Sequence, residues 1–297
     1  MSIVTELLGS RYPIIQGAMG VICNPEMVAA VSEAGGYGLL ATAFTTDKEF
    51  LRRQIHRTRE LTNHPFGANL FMKNEMNFGF AKILADEGIR VVTVSGGSPK
   101  SLAPILKDLG LKYIAVTSTV KAAVGAVNLG AVAVVAEGSE SGGFQGFHGS
   151  STLVLVPMII DAVDVPVIAA GGIADARTYK AVLALRAEGI QVGTRFIASR
   201  ECIAHHAYKE AILNANDSGT VLVSMMGAQL RCLRTPLAEQ VLAGVIDSKD
   251  LSTPKAMEKS WLSGDIEAGL LPAGQVAASI KSILTVQQII EQIFSVV

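Results

Sequence analysis

The chain is short of charge. Lys, Arg, Asp and Glu make up 17% of its 297 residues, and the formal net charge is −1. A nucleic-acid surface needs a basic excess to neutralise phosphates, so the composition argues against that class. Cysteine is scarce as well. Cys23, Cys202 and Cys232 are odd in number and form no Cys-x-x-Cys. Neither a disulfide framework nor a zinc site is indicated. No His, Asp or Glu cluster has metal-ligand spacing, so no metal is expected. No apolar run approaches the ~20 residues that a bilayer-spanning helix needs. The stretch Met1 to Glu6 has no basic segment leading into a long apolar one, so no signal peptide is visible. The expectation is a soluble, cytoplasmic protein without nucleic-acid or membrane partners. What the chain has in plenty is apolar residues, 49% of the total, enough for a large core.

The stretch from Val165 to Arg200 organises the rest. Val165-Pro-Val-Ile-Ala-Ala-Gly-Gly172 and Ile190-Gln-Val-Gly-Thr-Arg195 are β-branched apolar runs that end in glycine. Each is followed by a helix start. Such runs suit strands buried on both faces, as in a parallel sheet with helices outside. Glycine at a strand exit lets backbone amides approach an anion, and the next helix N-terminus adds positive potential. Glycines that only make tight turns would leave the same trace. Two such corners on successive units, with Thr194 and Arg195 adjacent, favour the phosphate site of a (β/α)8 barrel after its last two strands.

The remaining chain fits that frame. Strands are expected at Pro13–Gly20, Tyr37–Ala43, Pro65–Phe71, Val91–Val94, Lys112–Val116 and Ala131–Ala136, with helices between them. A long loop, Glu137 to Thr152, comes before the next helix and the last two strands. Eight units favour a closed barrel over an open doubly wound sheet. No Gly-x-Gly-x-x-Gly follows the first strand, which weakens a dinucleotide fold. After Arg200 the pattern turns helical, at Ala204–Asn214, Gly227–Ala243, Thr253–Trp261 and from Gly274 onward. Thr220-Val-Leu-Val is the main strand signal there. The expected division is an α/β barrel over 1–203, a smaller helical cap over 204–272, and a C-terminal helix over 273–297 returning to the barrel.

Function in such barrels gathers at the strand C-terminal ends. The residues there are poor in catalytic hardware. There is no strand-end lysine for a Schiff base and no cysteine in the long loop. Backbone amides, Asn69, hydroxyls and the acid Glu137 remain. That inventory suits a phosphorylated cofactor that carries the reactivity itself. The Glu137 to Ser151 loop, rich in glycine with two aromatics, reads as a substrate loop, or else as a rim cover. His148 is its one imidazole, the group with a pKa near neutrality, and is the candidate catalytic residue.

Taken together, several segments resemble the nitronate monooxygenase family, formerly 2-nitropropane dioxygenases, which also contains the FMN-dependent type II enoyl-acyl-carrier-protein reductases. They are Pro13-Ile-Ile-Gln-Gly-Ala-Met, Ala34-Gly-Gly-Tyr-Gly, Pro65-Phe-Gly-Ala-Asn, Glu137-Gly-Ser-Glu-Ser-Gly-Gly, Ala169-Ala-Gly-Gly-Ile-Ala, Gln191-Val-Gly-Thr-Arg-Phe and Ala273-Gly-Gln. The likeness covers nearly the whole chain. It implies a barrel that binds FMN at its C-terminal mouth. The phosphate would lie on Gly171-Gly172 and Gly193-Thr194, and the ring system near Ala18-Met19 and Asn69. Glu137 would face the ribityl chain, Gly142-Gly143 would border the cofactor, and Gln275 would approach the flavin from the C-terminal segment. The family places a histidine directly after Gly-Gly in the sixth loop. Here that position is Phe144, and His148 follows four residues on.

The resemblance implies an FMN oxidoreductase oxidising alkyl nitronates with O2, since a nitronate is already deprotonated. The alternative is an enoyl-thioester reductase using NAD(P)H as reductant. A flavin-free phosphate-binding barrel is the second alternative. The expected partners are a small nitronate or acyl thioester and a second copy of the chain in a homodimer.

Overall fold

Short β-branched runs cut by glycine give the chain its strands, and the helices between them cover the outer face. The computed structural model describes residues 2–146, 149–225, 227–251 and 253–295. In chain order the strands are β1 (Ile14–Gln16), β2 (Gly38–Ala41), β3 (Phe66–Phe71), β4 (Val91–Ser95), β5 (Lys112–Thr117) and β6 (Ala133–Glu137). There follow β7 (Gly143–Gln145), β8 (Val167–Ala170), β9 (Gly189–Val192), β10 (Thr220–Met225) and β11 (Ala228–Leu233). Eight of them form one parallel sheet in the order β1-β9-β8-β6-β5-β4-β3-β2. The sheet closes into the expected barrel between β1 and β2, where the ladder is a single bridge, Ile15 to Tyr37.

Gln16 completes that seam. Its side chain is fully buried. Its Oε1 accepts the Leu39 N–H at 3.0 Å, and its Nε2 donates to the Gly17 carbonyl. An amide side chain thus supplies a rung that the short β1 cannot.

The barrel interior is packed by side chains from β1, β2, β5, β6 and β8, among them Ile15, Leu39, Ile114, Val135 and Ile168. A helix, Ile3–Leu8, closes the floor by adding Val4 and Leu8 to this cluster. Ser2 caps its N-terminus by accepting the Thr5 N–H, and Gly9 ends it at φ +65°, the left-handed geometry that glycine adopts without strain.

Beyond residue 200 the structure departs from the expected, mainly helical cap. Residues 227–243 were expected to form one helix. They form β11, then a helix Pro236–Leu242. β11 pairs antiparallel with β10 on one side and with β7 on the other. The middle of the long loop after β6 is therefore a strand of the cap, in register Phe144 to Leu230. The segment from Gly274 was also expected to be one helix. It is a short 3-10 turn, Gln275–Ser279, then extended chain, then a helix Val286–Phe294. That last helix packs on the barrel helices Pro25–Glu33 and Ala176–Ala184. Phe294 anchors it, stacked on Tyr12 at 4.5 Å and edge-on to Tyr179 at 4.7 Å. No helix among the described residues is long and apolar enough to cross a membrane.

Candidate active site

A cavity of about 960 Å³ opens at the C-terminal mouth of the barrel, beneath the cap. Pockets for small ligands run from about 300 to 1,000 Å³, so this one has room for a cofactor and a second molecule.

Two glycine corners form one wall. Gly171 and Gly172 leave β8 with φ of +98° and +73°. A Cβ on Gly171 would sit 2.9 Å from Thr152 Oγ1 and 3.0 Å from the Gly138 carbonyl, so the turn itself needs that glycine. Gly193, after β9, is different. Its φ is −114°, and an added Cβ would meet nothing closer than Met19 Sδ at 3.7 Å. The protein leaves space there that a ligand can use. The backbone N–H groups of Gly172, Gly193 and Thr194 meet no backbone acceptor among the described residues. Unpaired donors facing a cavity are what an anionic phosphate needs, so this wall fits the phosphate end of FMN.

Thr194 and the sixth loop are tied together through the C-terminal segment. The Gly274 N–H donates to Thr194 Oγ1 at 2.9 Å, and the Gln275 N–H donates to the Glu140 carbonyl at 2.9 Å. A Cβ on Gly142 would lie 2.5 Å from the backbone of Ala273 and Gly274. Gly142 therefore serves chain packing as well as lining the cavity. Glu140, which the sequence did not single out, caps the next helix. Its carboxylate accepts the Thr152 N–H at 2.9 Å and the Thr152 hydroxyl at 3.0 Å.

Ala18 and Met19 follow β1 beside the Gly193 corner, and Asn69, within β3, also lines the cavity. Asn69 is locked. Its Oδ1 accepts from Thr93 Oγ1 at 2.8 Å, and its Nδ2 donates to Ser95 Oγ at 3.1 Å. Glu137 lines the cavity at the end of β6. Burial pushes its carboxyl up to about 7, against the pull of the Ser141 hydroxyl. A carboxyl poised there can donate or accept a hydrogen bond at neutral pH.

The cap side of the cavity is apolar. Met225, Leu230, Leu251 and Met257 line it with Trp261 and Tyr208. The two polar ring atoms are already used. Trp261 Nε1 donates to the Leu270 carbonyl at 2.8 Å, and the Tyr208 hydroxyl donates to the Pro272 carbonyl. Phe144 lies beside this lobe, its ring stacked with Phe71 at 6.5 Å and 28°.

Most of the residues expected at the site thus come together: Ala18, Met19, Asn69, Glu137, Gly142, Gly143, Gly171, Gly172, Gly193 and Thr194 all line the one cavity. Two expectations need correction. Gln275 is exposed and does not line the cavity; its neighbours Gly274 and Val276 do, because the 3-10 turn swings its side chain outward. Arg195, expected to support the phosphate corner, is buried away from it. It donates to the carbonyls of Ala198 at 3.1 Å and Ser282 at 2.8 Å, tying the chain after β9 to the C-terminal segment. His148 lies outside the described residues. The buried thiols offer no nucleophile, since burial pushes Cys23 and Cys232 up to about 12 and Cys202 to about 11.

The nitronate monooxygenase profile matches residues 1–81 and 77–295. FabK from Thermotoga maritima superposes with a TM-score of 0.93 and 38% identity, over 99% of this chain and 95% of that one. Nitroalkane oxidase from Streptomyces ansochromogenes superposes with a TM-score of 0.86 and 29% identity, over 98% and 97%. A 5-hydroxy-7a-methyl-1-oxo-octahydro-1H-indene-4-carboxyl-CoA dehydrogenase of Mycobacterium tuberculosis is 30% identical, covering 98% of this chain and 94% of its own.

Proposed function

This chain belongs to the nitronate monooxygenase family, and from that membership we propose that it is an FMN-dependent oxidoreductase acting on an acyl thioester, reducing an enoyl thioester at the expense of NAD(P)H. One observation carries the choice of substrate. The lobe under the cap is walled by Met225, Leu230, Met257 and Trp261, and its indole and phenol hydrogen-bond to backbone. A hydrocarbon chain gains from burial there, while a polar group would lose its water without replacement. Likeness to a carboxyl-CoA dehydrogenase over almost the whole chain supports the same class.

Bound FMN would supply the two-electron chemistry that the side chains of this cavity lack. The chain's own part is to bind, orient and exclude water. Gly172, Gly193 and Thr194 would hold the phosphate through backbone N–H groups. Asn69, fixed by Thr93 and Ser95, and Glu137, a carboxyl near neutrality, would hold polar atoms of the cofactor. Met19 would pack against its ring. The lobe would take the acyl chain and keep water from the reacting carbons. The α-carbon must take a proton. Phe144 has none to give, so we assign that role to His148 of the same loop.

Phe144 also favours a second reading, oxidation of alkyl nitronates with O2. A nitronate arrives deprotonated and needs no side-chain acid where the family keeps its histidine.

Anaerobic titration separates the two. The flavin-loaded protein is mixed with NADH, or separately with propionate 3-nitronate, and flavin bleaching is followed. Fast bleaching by NADH, with colour restored by crotonyl thioester, is the expected result. Fast bleaching by the nitronate alone would replace the first reading with the second. Protein that takes up no FMN would reject both in favour of a flavin-free barrel.

A further inference from the structure

The two glycine corners leave a charge unanswered. A phosphomonoester carries about −1.5 to −2 near neutral pH. The lysines that line the cavity follow β3 and β5, not β8 or β9. What stands next to the corner after β8 is an acid. A Cβ built on Gly172 would lie 3.6 Å from Glu140 Cβ. Backbone N–H groups alone would then face a dianion beside a carboxylate.

Two buried arginines change that account. Arg231, on β11, donates to the Ser139 carbonyl at 2.9 Å and to Thr220 Oγ1 at 3.2 Å. Its charge works against that of Glu140, so these two offset each other. Arg195 has no such counterpart. It belongs to the helical turn Thr194–Ile197 that starts at the second corner, and it is only 6% exposed. Carbonyls of Ala198 and Ser282 hold its guanidinium, while its Nε meets no acceptor among the described residues. Burial lowers its pKa to about 10, and no neighbouring charge acts on it. At neutral pH it is therefore a buried cation without an anion, an arrangement that proteins otherwise avoid.

The guanidinium is not far from the corner, although it does not line the cavity. Ala198 closes the turn that Thr194 opens, which at 1.5 Å per residue keeps the charge within roughly 10 Å of the Gly193 and Thr194 N–H groups. Charges buried at that range feel each other with little screening by salt. Resting on the FMN reading of these corners, we propose that Arg195 is the counter-charge of the flavin phosphate, acting through its field and not by contact. The carbonyls of Ala198 and Ser282 fix where that charge sits. Arg195 is in this sense a positioning residue for the cofactor, with no part in the reaction.

FMN and riboflavin differ by the phosphate alone, so the ratio of their dissociation constants reads the effect. It is measured by flavin fluorescence on flavin-free wild type, Arg195→Gln and Arg195→Lys. Wild type should hold FMN about a hundredfold tighter than riboflavin. The glutamine variant should keep at most about tenfold, and the lysine variant should stay within about threefold of wild type. Phosphorus NMR of bound FMN gives a second readout. The free phosphate takes up its proton at about pH 6. Bound to wild type or Arg195→Lys it should stay dianionic to about pH 5, and Arg195→Gln should move that titration back up. Equal loss of preference in both variants would make Arg195 a mere tie for the turn and overturn the proposal. A preference that survives in Arg195→Gln overturns it too, while leaving the phosphate corners standing. Wild type that binds riboflavin as tightly as FMN would instead remove the corners as a phosphate site, and the proposal with them. If Arg195→Gln does not fold, a bound phosphate titrating at about 6 in wild type is enough to reject the counter-charge.

Discussion

Thr194 Oγ1 accepts the backbone N–H of Gly274 at 2.9 Å. This bond joins the corner after the last barrel strand to a segment eighty residues on in the chain (274 − 194 = 80). The same segment touches the sixth loop, where Gly142 lies against Ala273 and Gly274 and the Glu140 carbonyl accepts from Gln275. The corner after β9, the loop after β6 and the C-terminal segment are thus one packed unit. Glycines within it serve two different ends, and substitution separates them.

Gly193→Ala should leave the fold intact. Its φ is ordinary, and the nearest atom to a new Cβ is Met19 Sδ at 3.7 Å. Stability should change by no more than about 0.5 kcal/mol, while FMN affinity falls at least about tenfold as the methyl fills the space left for phosphate. Gly142→Ala should do the opposite first, costing ~1–3 kcal/mol because its Cβ meets backbone. Urea unfolding of the flavin-free variants, with fluorescence titration of FMN, reads both. A Gly193→Ala protein that binds FMN like wild type would remove that corner from the cofactor site.

Gln16→Ala should open the barrel seam. The Leu39 N–H would lose its acceptor in a place without water. An unmet buried donor costs ~1–3 kcal/mol. The unfolding temperature should drop by several degrees, read by differential scanning calorimetry, and Gln16→Glu should fail to restore it, because a buried carboxylate costs more than the bond returns.

The barrel was legible because parallel strands buried on both faces leave continuous apolar runs, and glycine marks their exits. Gly171-Gly172 and Gly193-Thr194 fell at the site for that reason. The cap was less legible. Ala228-Gln-Leu-Arg-Cys-Leu233 is built of good helix formers, and pairing with β10 and β7 overrides that preference. Gly227 at φ +67°, between two runs with Met225 paired to Ala228, was the available hairpin signal. Phe144 was read as a loop aromatic because a three-residue strand shows no period of its own. Arg195 was misplaced because adjacency to Thr194 says nothing of side-chain direction on a tight helical turn. Nothing in the composition marked Ile3–Leu8 as a barrel plug, since its partners lie far along the chain.

Glu137 gives a pH signature. Its carboxyl is raised from an ordinary value of 4.5 to about 7 in the folded protein. The folded state therefore holds this proton over a range where the unfolded chain has released it. The resulting stability is complete below the unfolded value and is lost as pH rises through about 7. Glu137→Gln cannot ionise and keeps its stability. In flavin-free protein, the variant should gain on wild type as pH rises from 5 to about 7 and then level off, measured by urea midpoints. A constant difference across that range would show that the carboxyl titrates normally.

His148→Ala tests the proton donor. Loss of a positioned acid typically costs about 10²- to 10⁴-fold in rate, and we expect at least a tenfold fall in kcat for enoyl-thioester reduction. NADH-driven flavin bleaching should keep its rate, since that half of the cycle needs no proton at the α-carbon. Phe144→His in the same background should recover part of the loss by returning an imidazole to the family position. Equal kcat in wild type and His148→Ala would take the residue out of the mechanism.

Met257→Gln tests the lobe itself. Glutamine is close to methionine in length, so packing changes little, but it puts an amide on a wall shared with Met225, Leu230 and Leu251. Water can satisfy that amide when the lobe is empty. A bound alkyl chain would strip the water away, at ~1–3 kcal/mol. The penalty should therefore follow chain length. The KM for a dodecenoyl thioester should rise about tenfold or more, while crotonyl thioester, too short to cover the wall, should keep nearly its wild-type KM. A nitronate substrate would report the same distinction, since short alkyl nitronates reach no further than crotonate. If the variant affects both chain lengths alike, the lobe does not hold the acyl chain, and the case for a thioester substrate loses the observation it stands on.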